Sequence, residues 1–183
     1  DLPILFQDQY LIAIDKPAGL LVHRSMIAKQ ETQFAMQMLR DQIGQHVYPV
    51  HRLDRPTSGV LLFALDSETA ALLTEQFARR QIEKCYKAML RGFVHQRWSI
   101  DYSLRELHDK MTDKKAAKDK PAQPARTELT CLQRFNLPLP AGRYDSARFS
   151  YVSLTPLTGP CPFYTSDAAP QHNSGESRGT AGP

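Results

Sequence analysis

Cysteine is scarce in this chain, and its spacing excludes a disulfide framework. Cys85, Cys131 and Cys161 are the three cysteines among 183 residues, and they lie far apart in the sequence. An odd number of widely separated cysteines shows no metal-ligand spacing and is typical of a protein that stays in a reducing compartment. We therefore expect a cytoplasmic protein without a disulfide scaffold and without a structural metal.

Long apolar runs are also missing. No stretch approaches the ~20 apolar residues that a membrane-spanning helix needs. The first residues, beginning at Asp1, lack the basic flank of a signal peptide, and because Met is absent there we expect a processed or trimmed start. The sequence thus predicts a protein that does not insert into a membrane.

The composition that remains is that of one globular domain with a modest basic excess. Hydrophobic residues make up 42% and charged residues 23% of the chain, as in ordinary soluble proteins. The net charge is +4 and the pI is about 9.0, which is compatible with a nucleic-acid partner. Residues 159–183 contain one basic residue, Arg178, so the excess lies in the rest of the chain.

Apolar patterns along the chain predict an α+β fold. Residues 3–14 indicate a hairpin, 31–43 and 67–80 two helices, 60–65 a strand buried on both faces, and 83–92, 127–132 and 149–156 further strands. Arg79 and Arg80 are predicted in the last turn of the second helix. Since no regular βαβ repeat occurs, we expect a mixed, mainly antiparallel sheet with flanking helices.

Two stretches differ in kind from the rest. Residues 106–120 are polar and rich in lysine, which indicates a mobile surface insertion. Residues 159–183 hold four Gly, four Pro and three Ser without apolar periodicity, a composition typical of a disordered tail. We therefore predict one domain over residues 1–158 and an unrelated tail over 159–183.

Residues 51–59, with the sequence HRLDRPTSG, form the most distinctive stretch. It places Asp54 between Arg52 and Arg55, immediately before a predicted strand. Arginine beside a carboxylate favours its ionised form, and arginine also binds phosphate well. From the residues alone two interpretations stay open: a nucleophile or base that works on a polyanion, or an exposed salt-bridged turn of little energetic value.

This stretch resembles the signature motif of the ribosomal large subunit pseudouridine synthase A type family. Residues 84–88, KCYKA, followed by Gly92, resemble its second motif, and residues 15–19, DKPAG, resemble its K-P-x-G segment. Further stretches within residues 2–159 are similar to a branch that acts on tRNA. The resemblance implies isomerisation of a uridine to pseudouridine, at position 65 of tRNA, without cofactor or metal.

The resemblance also implies roles for individual residues. Asp54 would be the essential carboxylate, which attacks C1′ or helps to remove a ribose proton. Arg52 would occupy the place of the extruded base, and Tyr86 would stack on the flipped uracil and transfer a proton. The candidate RNA phosphate contacts are Arg55, Lys84, Lys87, Arg79 and Arg80.

The chain departs from the family pattern after Gly159. Where the family continues with a basic R-K-H-Q-L-R segment, this sequence reads PCPFYT. An arginine of that segment pairs with the catalytic carboxylate in the family, so the resemblance implies an incomplete C-terminal part, explained by a frameshift, and little or no activity.

Three alternatives to an active tRNA enzyme therefore stay open. The chain is a non-catalytic RNA-binding remnant, an unstable fragment, or a synthase that acts on ribosomal RNA. As an enzyme we expect it to be a monomer with tRNA as its partner.

Overall fold

The computed structural model describes residues 1–23, 32–104, 123–140 and 145–158. They form two four-stranded antiparallel sheets and two helices. The predicted insertion and the predicted tail lie outside these residues. In chain order the elements are β1 (Ile4–Gln7), β2 (Leu11–Lys16), α1 (Ala35–Ile43), β3 (Tyr48–Pro49), β4 (Gly59–Ala64), α2 (Ser67–Ala78), β5 (Tyr86–Arg91), β6 (Arg97–Leu104), β7 (Gln123–Leu137) and β8 (Ala147–Thr158).

The first sheet has the strand order β1-β2-β4-β3 and carries the larger core. β2 and β4 pair along their whole length, from Leu11 opposite Ala64 to Lys16 opposite Gly59. The fully buried side chains of this pair include Ile12, Ile14, Leu61 and Phe63, and they share one core cluster with Leu39 of α1. Burial of each such side chain stabilises the fold by roughly 1.5–3 kcal/mol. The neighbouring segments 17–23 and 51–58 are therefore attached to a rigid support.

The second sheet has the order β5-β8-β7-β6 and a smaller core. Leu129, Val152 and Leu154 form its buried cluster. Its other face carries an apolar depression of about 270 Å³, lined by Met89, Phe135, Leu137 and Phe149. This sheet therefore presents an apolar surface to solvent on the face opposite its core.

Tyr86 lies where the two cores meet. It is the first residue of β5, in the second sheet, and it packs half-buried against the apolar clusters of both sheets. Alternate residues of a strand point to opposite faces, so Ala88 and Leu90 share the face of Tyr86 while Lys87 points the other way. The second predicted motif is thus in contact with the core that supports the first.

The α+β class is confirmed, with differences in detail. Every pair between the described strands is antiparallel, and these strands divide into two sheets. β3 and β6 were not predicted, and β7 and β8 extend beyond the predicted strands. β4 is not buried on both faces throughout, because Val60 near its start is 61% exposed.

The structure also defines both ends of α2. Asp66 caps α2, since its carboxylate accepts a hydrogen bond from the Thr69 amide at 2.8 Å. The placement of Arg79 and Arg80 in the last helical turn was wrong. The Arg80 amide bonds to the Phe77 carbonyl, three residues back, and Arg80 adopts a φ of 58°, which ends the helix before these cations. Neither described helix is long and apolar enough to cross a membrane.

Candidate active site

Asp54 lies in the loop that joins β3 to β4. The loop closes in a turn in which the Thr57 amide donates to the Asp54 carbonyl at 3.0 Å. Gly59 enters β4 with a φ of 119°, a conformation that side chains disfavour. Leu53, next to Asp54, is buried in the core of the first sheet. The core therefore fixes the residue beside the carboxylate.

Arg52 and Asp54 form an ion pair with partners of unequal exposure. The Arg52 Nη2 lies 3.7 Å from the Asp54 Oδ1, and the side chains are 69% and 25% exposed respectively. An exposed pair of this length contributes little to stability. The guanidinium of Arg52 therefore extends into solvent, whereas the carboxylate of Asp54 is largely shielded from it.

Lys16 supplies a buried positive charge beneath this loop. The residue is fully buried, and its Nζ donates to the Leu20 carbonyl at 2.8 Å and to the Pro17 carbonyl at 3.0 Å. Burial lowers the pKa of Lys16, and the negative charge of Asp54 opposes that effect. Sequence reasoning assigned no role to Lys16; its signal was the lysine of the K-P-x-G segment.

Arg55 ties the same segment to the loop. Its Nε donates to the Gly19 carbonyl at 3.1 Å, and the Gly19 amide donates back to the Arg55 carbonyl at 2.6 Å. Gly19 has a φ of 88°, which suits glycine. Arg55 was predicted as a phosphate contact, and the structure shows that it also holds two parts of the chain together.

His51, at the start of the loop, is packed between β4 and α2. Its Nε2 accepts a hydrogen bond from the Leu62 amide at 3.0 Å, and its ring stacks on Phe77 with the centroids 4.7 Å apart. Burial lowers the pKa of His51, and the positive charge of Lys84 lowers it further, while a hydrogen bond with the Arg52 backbone opposes both. Lys84 is therefore close enough to this motif to act on it electrostatically.

Of the remaining predicted residues, Tyr86 is brought to the Asp54 motif by the core, whereas Lys87 and Arg79 make contacts elsewhere. Tyr86 packs against the cluster that contains Leu53, so the core brings the two motifs together. Lys87 lies on the opposite face of β5, where its Nζ donates to the Ser153 Oγ at 3.0 Å. Arg79 pairs with Glu75 at 2.6 Å on the helix surface. Within the described ranges, no group of three or more His, Cys, Asp or Glu is arranged to hold a metal ion.

Comparisons with known proteins relate the chain to one family. The profile of the RNA pseudouridylate synthase family matches residues 10–160. The chain is 55% identical over 158 residues to tRNA pseudouridine synthase C of Haemophilus influenzae, a match that covers 86% of this chain and 66% of the relative. The corresponding protein of Yersinia pestis is 52% identical, with 86% and 62% covered. The chain thus spans slightly less than two thirds of the length of these relatives.

A solved structure shares the fold. Human RNA Pseudouridylate Synthase Domain Containing 1 superposes with a TM-score of 0.66 at 24% identity, over 87% of this chain and 61% of that one. The family match covers both motifs and the elements from β2 to the end of β8. The chain therefore belongs to the RNA pseudouridylate synthase family.

Proposed function

We propose that this chain carries the catalytic region of a tRNA pseudouridine synthase, with Asp54 as the catalytic carboxylate. Asp54 is held in a core-anchored loop between the exposed Arg52 and the buried Lys16, and this observation carries the proposal. The similarity to relatives named tRNA pseudouridine synthase C supports tRNA as the substrate.

The proposed reaction is an isomerisation. The bond between N1 of uracil and C1′ of ribose breaks, and a bond between C5 and C1′ forms after the base has turned. C5 then loses its proton and N1 gains one, so no atom is added overall. Asp54 either attacks C1′, in which case its bond to C1′ breaks again as C5 bonds there, or accepts a ribose proton, which it returns after the base has rejoined. Either step requires the ionised carboxylate. The positive charges of Arg52 and Lys16 both interact with this carboxylate.

Arg52 and Tyr86 have complementary parts in this proposal. A stacked uridine hides C1′ and C5, so the base must leave the stack, which costs a few kcal/mol. The exposed guanidinium of Arg52 fills the vacated space. Tyr86, fixed by both apolar clusters, packs against the extruded uracil and transfers a proton.

Basic residues around the loop bind the RNA backbone. Lys84, whose charge reaches His51, and Arg55, which stabilises the loop, are the proposed phosphate contacts. Such contacts release counterions, so the affinity for RNA falls as the salt concentration rises. The substitution of either residue is expected to reduce that salt dependence.

The test is incubation with an unmodified tRNA transcript followed by mapping of pseudouridine. We expect Asp54→Asn to lower turnover by at least about a hundredfold. Asp41→Asn is the matched control, because Asp41 pairs with Arg40 on the exposed side of α1. Pseudouridine formation by the original chain that Asp54→Asn leaves unchanged would show that Asp54 is not the catalytic carboxylate.

A second candidate function is RNA binding without isomerisation, and the departure from the family pattern after Gly159 favours it. RNA retained at low salt with no pseudouridine formed would support this candidate. A parallel incubation with ribosomal RNA tests the other substrate.

We also propose that the protein is a cytoplasmic monomer. Light scattering tests the monomeric state, and cell fractionation tests the location.

A further inference from the structure

The hydrogen bond accepted by His51 replaces a missing main-chain contact. β3 pairs with β4 through two positions, Tyr48 opposite Ala64 and Pro49 opposite Phe63. The next position along β4 is Leu62, and there the chain has already turned away into the loop. The Leu62 amide donates instead to the imidazole Nε2 of His51 at 3.0 Å. The side chain therefore extends the strand pairing by one bond.

The same ring is held from a second side. Phe77 of α2 stacks on the imidazole with an angle of 29° between the ring planes. The ring thus connects the start of the loop to both β4 and α2. Three residues further along the chain comes Asp54, and between them Leu53 is buried in the core. The segment that carries the carboxylate thus has two anchors, Leu53 in the core and the His51 ring, and loss of the His51 contact would remove one of them.

We propose that His51 is a positioning residue for Asp54: as a neutral hydrogen-bond acceptor it fastens the loop to β4 and α2, and protonation releases it. The proposal rests on the proposed function only for the catalytic role of Asp54. The structural part concerns the contact between His51 and Leu62.

The chemistry of imidazole makes this contact dependent on protonation. Neutral imidazole has one acceptor nitrogen, whereas both nitrogens of the cation are donors. A protonated His51 would place an N–H against the Leu62 N–H. The partners on β4 and α2, the Leu62 amide and the Phe77 ring, are uncharged, and the charge of Lys84 repels the cation.

The direction of the pH effect follows from these surroundings. The pKa of His51 in the folded chain is below its ordinary value of about 6.5, so the unfolded chain binds this proton first. The stabilising contribution is therefore complete above the unfolded pKa. It is lost as the pH falls from there through the lower folded pKa.

Amide NMR spectra of the full chain between pH 7.5 and pH 5 test the structural part. In the original chain, we expect acidification to reduce the exchange protection of the Leu62 amide and to shift the Asp54 amide together with it. His51→Gln offers a carbonyl oxygen near the position of Nε2 and does not titrate, so both signals should stay constant. His51→Leu should lower Leu62 protection at least about tenfold and shift the Asp54 amide at every pH.

The matched control is His46→Gln, because His46 is an exposed histidine whose ring contacts Tyr48. It should leave the Leu62 and Asp54 signals of the original chain unchanged. An Asp54 amide that stays in place while the Leu62 bond is lost would overturn the proposal. If His51→Leu does not fold, the titration of the original chain against His51→Gln decides the question.

Turnover of a tRNA transcript provides the second measurement. His51→Leu should lower kcat by about ten- to a hundredfold with a smaller change in KM, because a misplaced group weakens the chemical step. The kcat of the original chain should fall below pH 6.5 more steeply than that of His51→Gln. Asp54→Asn should keep Leu62 protected and lose turnover, so failure of the proposed function is distinguishable from failure of the His51 assignment.

Discussion

The two sheets bury their apolar residues to different extents. Within the described residues, the core cluster of the first sheet has eleven buried members, whereas that of the second has three. The proposed catalytic carboxylate is attached to the larger core, and the proposed catalytic tyrosine is carried by the sheet with the smaller one. The comparison indicates that the residue held in a loop needs the stronger support, while Tyr86 is oriented by its strand.

The largest expected effect compares one core leucine in each sheet. Leu61→Ala should destabilise the fold by about 4 kcal/mol and Leu154→Ala by about 2–3 kcal/mol, because the smaller cluster can collapse more easily around a cavity. Both side chains are almost fully buried. Urea denaturation of the two variants gives the free energies of unfolding, and equal losses would contradict the distinction between the sheets.

The second prediction concerns Lys16, whose buried ammonium lies beneath the Asp54 loop at the end of β2. Lys16→Met should cost about 2–3 kcal/mol, because the Pro17 and Leu20 carbonyls lose a charged donor. Lys87→Met in the second sheet is the control and should change stability by less than about 0.5 kcal/mol, since Lys87 is exposed. Thermal unfolding measures both changes in stability. An unchanged stability of Lys16→Met would show that this charge does not support the loop.

The third prediction separates the chemistry of Tyr86 from its packing. Tyr86→Phe keeps the ring between the two clusters and should lower tRNA turnover at least about tenfold, which equals 1.4 kcal/mol. Its effect on the free energy of unfolding should be smaller, about 1 kcal/mol or less. Tyr151→Phe is the control, since Tyr151 pairs with Met89 on the other face of the same sheet. Equal turnover by both variants would contradict the proton-transfer role.

The smallest effect is expected at Thr127, in the second sheet. Thr127 is fully buried, and its Oγ1 has no hydrogen-bond partner among the residues that the structure describes. Thr127→Val removes this unpaired hydroxyl at constant shape and should stabilise the fold by about 0.5–1 kcal/mol. A loss of stability, measured by urea denaturation, would indicate that the hydroxyl has a partner such as a bound water.

Local patterns predicted the elements better than their assembly. The strand predicted over residues 83–92 and the two predicted helices each depend on a few neighbouring residues, and the structure confirms all three elements with shorter bounds. The division into two sheets could not be predicted, because a period of two gives the face of a side chain and not the identity of the partner strand. β6 was missed because its sequence, RWSIDYSL, is half polar and its partner β7 begins far along the chain.

In the candidate site, too, local motifs identified residues but not the contacts that form on folding. Asp54, Arg52 and Tyr86 were identified from motifs, and their catalytic roles stay predictions. Lys16 was overlooked because lysine is normally exposed, and its burial depends on carbonyl groups that only the folded chain brings together. The role of His51 likewise depends on Leu62 and Phe77, which lie eleven and more residues away.

The shared position of Tyr86 has a consequence for how the molecule melts. Its ring belongs to the apolar clusters of both sheets, so the loss of either sheet removes one wall of the other's core. The two sheets should therefore melt in a single cooperative step despite their unequal cores. A nucleotide that presses on this one ring would raise the melting temperature of the whole described fold.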